Sequence, residues 1–438
     1  MPGGLLTDLY ELNMAASYLR RGMTAPATFS LYVRGLPAER GFLVAAGLEP
    51  CLDFLESFSF ERSELEYLSS IGFDERAVED FRGLRFDGEV WAAPEGRVVH
   101  ADEPLLEVTA PIAVAQLVET YLLNQVTLHS TLASKAARYV IAAEGRGLVD
   151  FAFRRTHGTD AADAVARTSA MVGFTATSNV HAARRHGLAV AGTMAHSFVE
   201  AFATESEAFR VFAEDHPART TFLVDTYDTV QGVRNAIETI RELELSGDLG
   251  VRLDSGDLDP LAREARRLLD DAGLIAARIF ASGGLDEHEV AQLVADDAPI
   301  DAFGIGTQLG VSADAPYVDT VYKLVEYDGR PTMKLSTGKV SAPGRKQVWR
   351  GESGDLLAHR DEPGHPGTEP LLERVMDEGR RSHAAPSLDA IRERFRADLS
   401  ALPHGARRLR GAEPIAVPRS ERLRELTERT REEALRRS

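Results

Sequence analysis

A single cysteine, Cys51, leaves no partner for an intrachain disulfide and no basis for a thiolate metal cluster. No window approaches the roughly 18–20 apolar residues needed to cross a membrane. The opening segment, MPGGLLTDLYELN, has neither the basic start nor the long apolar run of a secretion signal, so a cytoplasmic protein without a membrane partner is expected. A basic block is missing as well. Lys and Arg number 50 against 68 Asp and Glu, and the formal charge of −18 argues against nucleic acid as a main partner. Basic residues thicken towards the C-terminus (RERFRADL, GARRLR, RERT), but acids interleave there, which is the pattern of a solvated helix face. The chain also lacks a Gly-x-x-x-x-Gly-Lys-Ser/Thr loop, a serine nucleophile elbow and a His-Glu-x-x-His pair.

What is present is an ordinary globular composition, 44% hydrophobic and 27% charged, over 438 residues. That length holds two domains, or one barrel with a second lobe. Residues 1–118 mix helical patterns with short strands and form an α+β lobe. TDLYELNMAASYLRR reads as a helix with Thr7 as N-cap, ATFSLYVRGL as a strand, and GFLVAAGLEPCLDFLESF and ERSELEYLSSIG as helices. GEVWAAPEGRVVHADEPLLEVTAP is broken by turns into three short strands. Residues 119–350 open with long helical segments and settle into strand–helix alternation. The expected strands are GLVDFAF, LAVAGT, TTFLVDT, LGVRLDS, ARIFASGG and DAFGIGT. Consecutive units of this kind predict an irregular, incomplete β/α barrel with its chemistry at the strand ends; an open doubly wound sheet uses the same units. Residues 351–438 read as a Gly/Pro-rich surface loop followed by charged outer helices.

The strand ends carry the candidate site. In GTMAHS, His196 follows the apolar LAVAG and precedes a helical pattern, beside Thr193 and Ser197. A helix start favours an anion, and a histidine there can act as base or accept a phosphoryl group; it can also simply cap its helix. Phe151, Phe153, Arg154 and Arg155 end the first strand, where an aromatic beside a guanidinium suits a flat, anionic ring, or alternatively an ordinary core and surface. Arg252, Asp254, Ser255, Gly256 and Asp257 end another strand. The carboxylate there could hold ribose hydroxyls or Mg²⁺ and the arginine phosphate, with Asp257 capping the next helix. Ser282-Gly283-Gly284 and Gly304-Ile305-Gly306-Thr307 offer bare backbone at successive strand ends, a common phosphate cradle. Asp225, Tyr227 and Asp228 add to the rim, Asp228 as an expected cap. The rim fits transfer at a phosphorylated sugar with an anionic aromatic as co-substrate.

In order along the chain, LTDLYELNM, FSLYVR, DFAFRR, TSNV, GTMAHSF, VRLDSGDL, SGGLDE, FGIGTQLG and KLSTGKVSAPGRKQVWR resemble the landmarks of the nicotinate phosphoribosyltransferase family. The likeness covers nearly the whole chain, with PIAVPRSERL looser than the family pattern and no cysteine-rich metal knuckle. It implies a type II phosphoribosyltransferase fold assembled as a head-to-tail homodimer with shared active sites. It implies the conversion of nicotinate and phosphoribosyl pyrophosphate to nicotinate mononucleotide and pyrophosphate, with Mg²⁺ and coupled ATP hydrolysis, in NAD salvage. By the same resemblance His196 is the phosphohistidine, Phe151 one wall of the pyridine pocket, and Tyr10 the other wall, from the partner subunit. Arg154 and Ser197 lie near nicotinate, and Arg252 and Asp254 at the phosphate and ribose. Gly283, Gly284, Gly306 and Thr307 cradle phosphate, and Arg34 reaches across the dimer. Lys334, Lys339 and Lys346 fall in a matched basic loop without assigned roles.

Asn179, in TSNV, bears on substrate choice. A nicotinamide-using relative is expected to carry an acid there, and an asparagine does not repel a carboxylate; it can equally be the cap of the helix that follows. Two further alternatives are a catalytically silent pyridine- or nucleotide-binding sensor and an unrelated phosphosugar barrel. The latter predicts a reactive lysine, and none stands at the six expected strand ends.

Overall fold

The computed structural model describes residues 3–335 and 341–437. The chain forms two compact units, Met1–Thr131 together with Tyr317–Ser438, and Leu132–Pro316.

The second unit holds a parallel sheet of six strands: β1 (Gly147–Asp150), β2 (Ala176–Thr177), β3 (Arg219–Leu223), β4 (Asp248–Leu253), β5 (Arg278–Ala281) and β6 (Ala302–Ile305). Their order across the sheet is β2-β1-β6-β5-β4-β3, so β2 and β3 are its end strands, and among the described residues the barrel is incomplete, as expected. Val149, Phe222, Val251, Ile279 and Phe303 are buried, which is why these strands read as apolar runs. Amphipathic helices return the chain between strands, among them Thr229–Glu242 and Leu258–Asp271. Lys135 and Arg138, on the helix Glu119–Ala143, both pair with buried Glu287, the first residue of the helix Glu287–Ala295.

Two expectations fail here. LAVAGT is not a strand: only Val190 bridges to Thr177, and Val190 is half exposed at the sheet edge. The strand in that place is Ala176–Thr177. The helical pattern after His196 is also broken, into His196–Glu200 and Glu205–Asp215. Thr204 starts the second helix by accepting a hydrogen bond from Glu207 N at 3.2 Å.

In the first unit a seven-stranded sheet is built from both ends of the chain. Pro26–Val33 lies between Pro104–Pro111 and Thr320–Tyr327, antiparallel to both, and Glu373–Asp377 pairs with Glu89–Ala92. Strand pairing thus assigns residues from Tyr317 onward to the N-terminal lobe, whereas the sequence pattern suggests three consecutive segments. The supposed loop 351–370 carries the strand Gly354–His359, which forms a hairpin with the preceding Lys346–Gly351, and the short strand Glu369–Pro370. Leu388–Ala401 and Glu421–Arg437 are the expected C-terminal helices. Among the described residues no helix is long and apolar enough to cross a membrane.

The first helix, Leu9–Arg20, is capped by Asp8 rather than Thr7, in a reciprocal box with Glu11; the Thr7 hydroxyl donates to Glu11 instead. Glu11 is buried, and desolvation lifts its carboxyl from the ordinary 4.5 to about 7, although Thr120 donates to it at 2.8 Å. A carboxyl raised on folding binds more protons in the folded state, so its contribution is full at low pH and is lost as pH rises through about 7. Glu11→Gln should therefore flatten the fall in stability between pH 5 and 7, read from urea midpoints across that range. An unchanged slope would place the titration elsewhere.

Candidate active site

Parallel strands present all their C-terminal ends on one side, and the candidate residues of the second unit gather on those ends and the loops after them. His196 opens the one-turn helix His196–Glu200, and Ala195, not His196, occupies the cap position. So short a helix has little dipole, and the imidazole is defined by side chains instead. Nδ1 lies 3.1 Å from Thr226 Oγ1 and Nε2 3.7 Å from Asp254 Oδ2, with the ring partly exposed.

Arg252 and Asp254 sit two residues apart on β4 and just beyond it. The Arg252 guanidinium is largely buried; Nη1 donates to Thr193 Oγ1 at 2.7 Å, and Nη2 is 3.8 Å from Asp254 Oδ1. Its Nε is buried without a partner. Burial lowers its pKa below the ordinary arginine value, against the pull of Asp254 and Asp225, and Arg154 adds like-charge pressure. The guanidinium also stands 5.9 Å from the centre of the Phe151 ring, within cation–π range. Asp254 in turn accepts from Ser282 Oγ at 2.5 Å, while Asp225 accepts from Ser255 Oγ at 2.5 Å and from Asp254 N at 3.1 Å.

Phe151 follows β1 and rests against β6 because Gly304 has no side chain: a Cβ there would fall 2.6 Å from the ring. Phe153, Arg154 and Arg155 form an exposed 3₁₀ turn beyond it. Asn179 is buried and caps the helix Val180–His186, its Oδ1 accepting from Ala182 N at 3.1 Å. Gly283, at φ +109°, lies so close to the preceding strand end that a Cβ would be 1.9 Å from the Asp254 carbonyl oxygen; Gly284, at φ +85°, faces open space. Gly306 and Thr307 lead from β6 into the turn Thr307–Gly310. Ser197 is exposed on the first turn after His196.

Asp228 caps Thr229–Glu242 through Gln231 N at 2.7 Å, as expected. Asp257 occupies a cap position but makes no capping bond, contrary to expectation, and the residue is exposed. Tyr10 and Arg34 belong to the first unit: Tyr10 is half exposed, and Arg34 lies 3.9 Å from Asp319. Lys334 is exposed and Lys339 lies outside the described residues. Lys346 is a buried structural cation, 2.9 Å from Glu107 and bonded to the Gly344 carbonyl. Sequence reading missed Thr226 as the imidazole's partner, and Asp150 and Thr177, which are bonded at 2.7 Å. The signal for Thr226 was a small polar residue directly after a strand-end aspartate.

Fold and site define an α/β half-barrel enzyme whose strand ends gather an imidazole, a buried guanidinium, carboxylates and bare backbone. Family models described as the nicotinate phosphoribosyltransferase N-terminal domain, family and C-terminal domain match residues 5–127, 147–359 and 362–427. The chain is 50% identical over 426 residues to nicotinate phosphoribosyltransferase pncB2 of Mycobacterium tuberculosis (strain H37Rv), covering 95% of this chain and 91% of that one. The crystal structure of human nicotinic acid phosphoribosyltransferase superposes with a TM-score of 0.86 at 30% identity, over 97% of this chain and 99% of that one. That of nicotinate-nucleotide pyrophosphorylase from Pyrococcus furiosus gives 0.76 at 27% identity, over 91% and 95%. The chain belongs to the nicotinate phosphoribosyltransferase family.

The two adjacent glycines separate conformational from steric demand. Gly284→Ala should cost about 1–2 kcal/mol, the penalty of a left-handed conformation for an L-residue. Gly283→Ala should cost about 1–3 kcal/mol more, because the strand end at Asp254 must also move. Chemical denaturation of the two variants measures the gap, and equal costs would contradict the close approach.

Proposed function

We propose that this chain transfers the phosphoribosyl group of phosphoribosyl pyrophosphate to nicotinate, giving nicotinate mononucleotide and pyrophosphate for NAD salvage. We propose further that the transfer is coupled to ATP hydrolysis through His196. The observation that carries the reading is the imidazole set between Thr226 and Asp254, on the same strand ends as a buried arginine with an unfilled donor.

In the transfer step the pyridine nitrogen attacks the anomeric carbon as its bond to the diphosphate oxygen breaks, through an oxocarbenium-like state. The work is positioning and charge stabilisation, and no proton need move. Phe151 supplies a stacking wall for the ring, with Arg154 near its carboxylate. Arg252 bears on the phosphate, Asp254 on the ribose hydroxyls, and the backbone at Gly283, Gly284, Gly306 and Thr307 takes the sugar phosphate. Tyr10 and Arg34 are assigned to the pocket of the partner subunit in a homodimer.

Mg²⁺ is typically held by one or two carboxylates together with substrate phosphates and water. Asp225, whose Oδ1 is buried and unpartnered, and neighbouring Asp254 suit that role, and no larger cluster of metal-ligating side chains occurs among the described residues. The ion would neutralise charge on the leaving diphosphate.

For the coupling, Nδ1–H donating to Thr226 leaves the Nε2 lone pair free to take the γ-phosphoryl group of ATP, with ADP leaving. Water later cleaves the phosphohistidine to phosphate and free imidazole.

Nicotinate fits Asn179. Because Oδ1 is spent on Ala182 N, the other end of the amide is its NH₂, a donor for a carboxylate. Asn179→Asp keeps the cap but turns that end into an acceptor. It should raise KM for nicotinate at least tenfold and improve relative use of nicotinamide, measured as kcat/KM for each base.

The deciding assay supplies phosphoribosyl pyrophosphate and Mg²⁺ with nicotinate, nicotinamide or quinolinate, each with and without ATP. Nicotinate should be preferred, with ADP released alongside; no mononucleotide from any base would point to a silent binding protein. His196→Ala should retain ATP-independent turnover and lose the gain from ATP. Persistent ATP stimulation would remove His196 from the phosphoryl path.

A further inference from the structure

Asp150 is the last residue of β1 and is almost wholly buried, with 1% of its surface exposed. A carboxylate in such a place is costly unless its oxygens are bonded, and an apolar residue would fill the strand more cheaply. Both oxygens are used, in divergent directions. Oδ1 accepts from Ala152 N at 2.8 Å, closing a turn around Phe151. Oδ2 accepts from Thr177 Oγ1 at 2.7 Å on the neighbouring strand. That same hydroxyl oxygen accepts from Asn179 N at 3.0 Å, and Asn179 Oδ1 accepts from Ala182 N. One continuous chain of hydrogen bonds thus runs from the turn that presents Phe151 to the backbone N–H of Asn179, the residue that carries the side-chain amide.

The other side of Phe151 is fixed by packing. The ring sits over Gly304, with its centre 5.7 Å from that of Phe280. Its backbone is tied on one side by Phe151 N donating to the Ile305 carbonyl at 2.8 Å, and on the other by the Asp150 turn. Asn179, in contrast, lies after a strand of just two residues at the sheet edge, which offers little ladder to hold it. Ser178 N donates to the Asp150 carbonyl at 2.8 Å, and the carboxylate–hydroxyl pair adds the side-chain link between the two segments.

We propose that Asp150 and Thr177 are positioning residues for the pyridine pocket, holding the Phe151 ring and the Asn179 amide at a fixed separation that matches a planar, carboxylate-bearing pyridine. The proposal rests on Phe151 and Asn179 lining that pocket. Neither Asp150 nor Thr177 touches the base, and both act through the residues they hold.

Thr177→Val and Thr177→Ser, made in the full-length chain, test it. Valine keeps the shape and removes the hydroxyl, leaving Asp150 Oδ2 and Asn179 N without each other's link; serine restores the link. Thr177→Val should raise both KM and the calorimetric Kd for nicotinate about tenfold, which is about 1.4 kcal/mol. KM for phosphoribosyl pyrophosphate should stay within about twofold, the order of scatter for an interaction not touched. Thr177→Ser should match the unaltered chain. An unchanged nicotinate Kd in Thr177→Val, or a serine variant as impaired as the valine one, overturns the positioning role. Asp150→Asn serves if valine prevents folding: it keeps the Ala152 bond, disturbs the Thr177 bond, and should shift the nicotinate Kd in the same direction; no shift overturns the role. If the unaltered chain does not bind nicotinate at all, the pocket assignment falls and the positioning role with it. That outcome is distinct from binding that is normal and indifferent to Thr177.

Discussion

A guanidinium placed inside a sheet is the constraint around which the strand ends are arranged. Arg252 lies on β4 between β3 and β5, in register with Leu223 and Phe280, where little water reaches it. A charge in that position needs counter-charges and acceptors close by. Asp254 and Asp225 supply the charge, and Thr193 the acceptor. Each of these then has its own obligations. Asp254 is tied to Ser282 on the next strand end, and Asp225 to Ser255 and the Asp254 backbone. His196 falls within reach of Asp254 as a consequence of this network, not of its own short helix. Arg252 Nε is left buried without a partner inside this network.

Much of this was legible in the sequence for a simple reason. Parallel strands buried on both faces are continuous apolar runs, and where the run stops the functional face begins. LVDT, VRLDS, FASGG and FGIGT all announce their ends in this way. LAVAG announced one falsely, because apolarity alone cannot say whether a segment has a neighbour on each side. Partnerships were less legible than positions. Thr226 was one residue beyond a strand end already noted, yet its bond to His196 depends on the spacing of two loops thirty residues apart. Lys346 looked like a member of a basic loop because its partner, Glu107, stands on a strand far earlier in the chain.

Capping shows the same boundary between local and non-local information. Asp228 met its helix as anticipated, while Asp8 displaced Thr7 and the Asp257 side chain made no capping bond. Asn179 meets its helix as a cap, as one of its two expected roles. An amide has two chemically opposite ends, and using the oxygen for the helix defines what the nitrogen can meet.

The discontinuous make-up of the first unit has a kinetic side. One of its interior strands, Pro26–Val33, waits for a neighbour, Thr320–Tyr327, that emerges from the ribosome only after the whole second unit has been made. The second unit is contiguous and can close on itself meanwhile, whereas the first must keep an open strand edge until late in synthesis. Such an edge is a template for pairing with the wrong chain. Crowded translation of this protein therefore exposes its N-terminal lobe, more than its half-barrel, to misassembly and to chaperone capture.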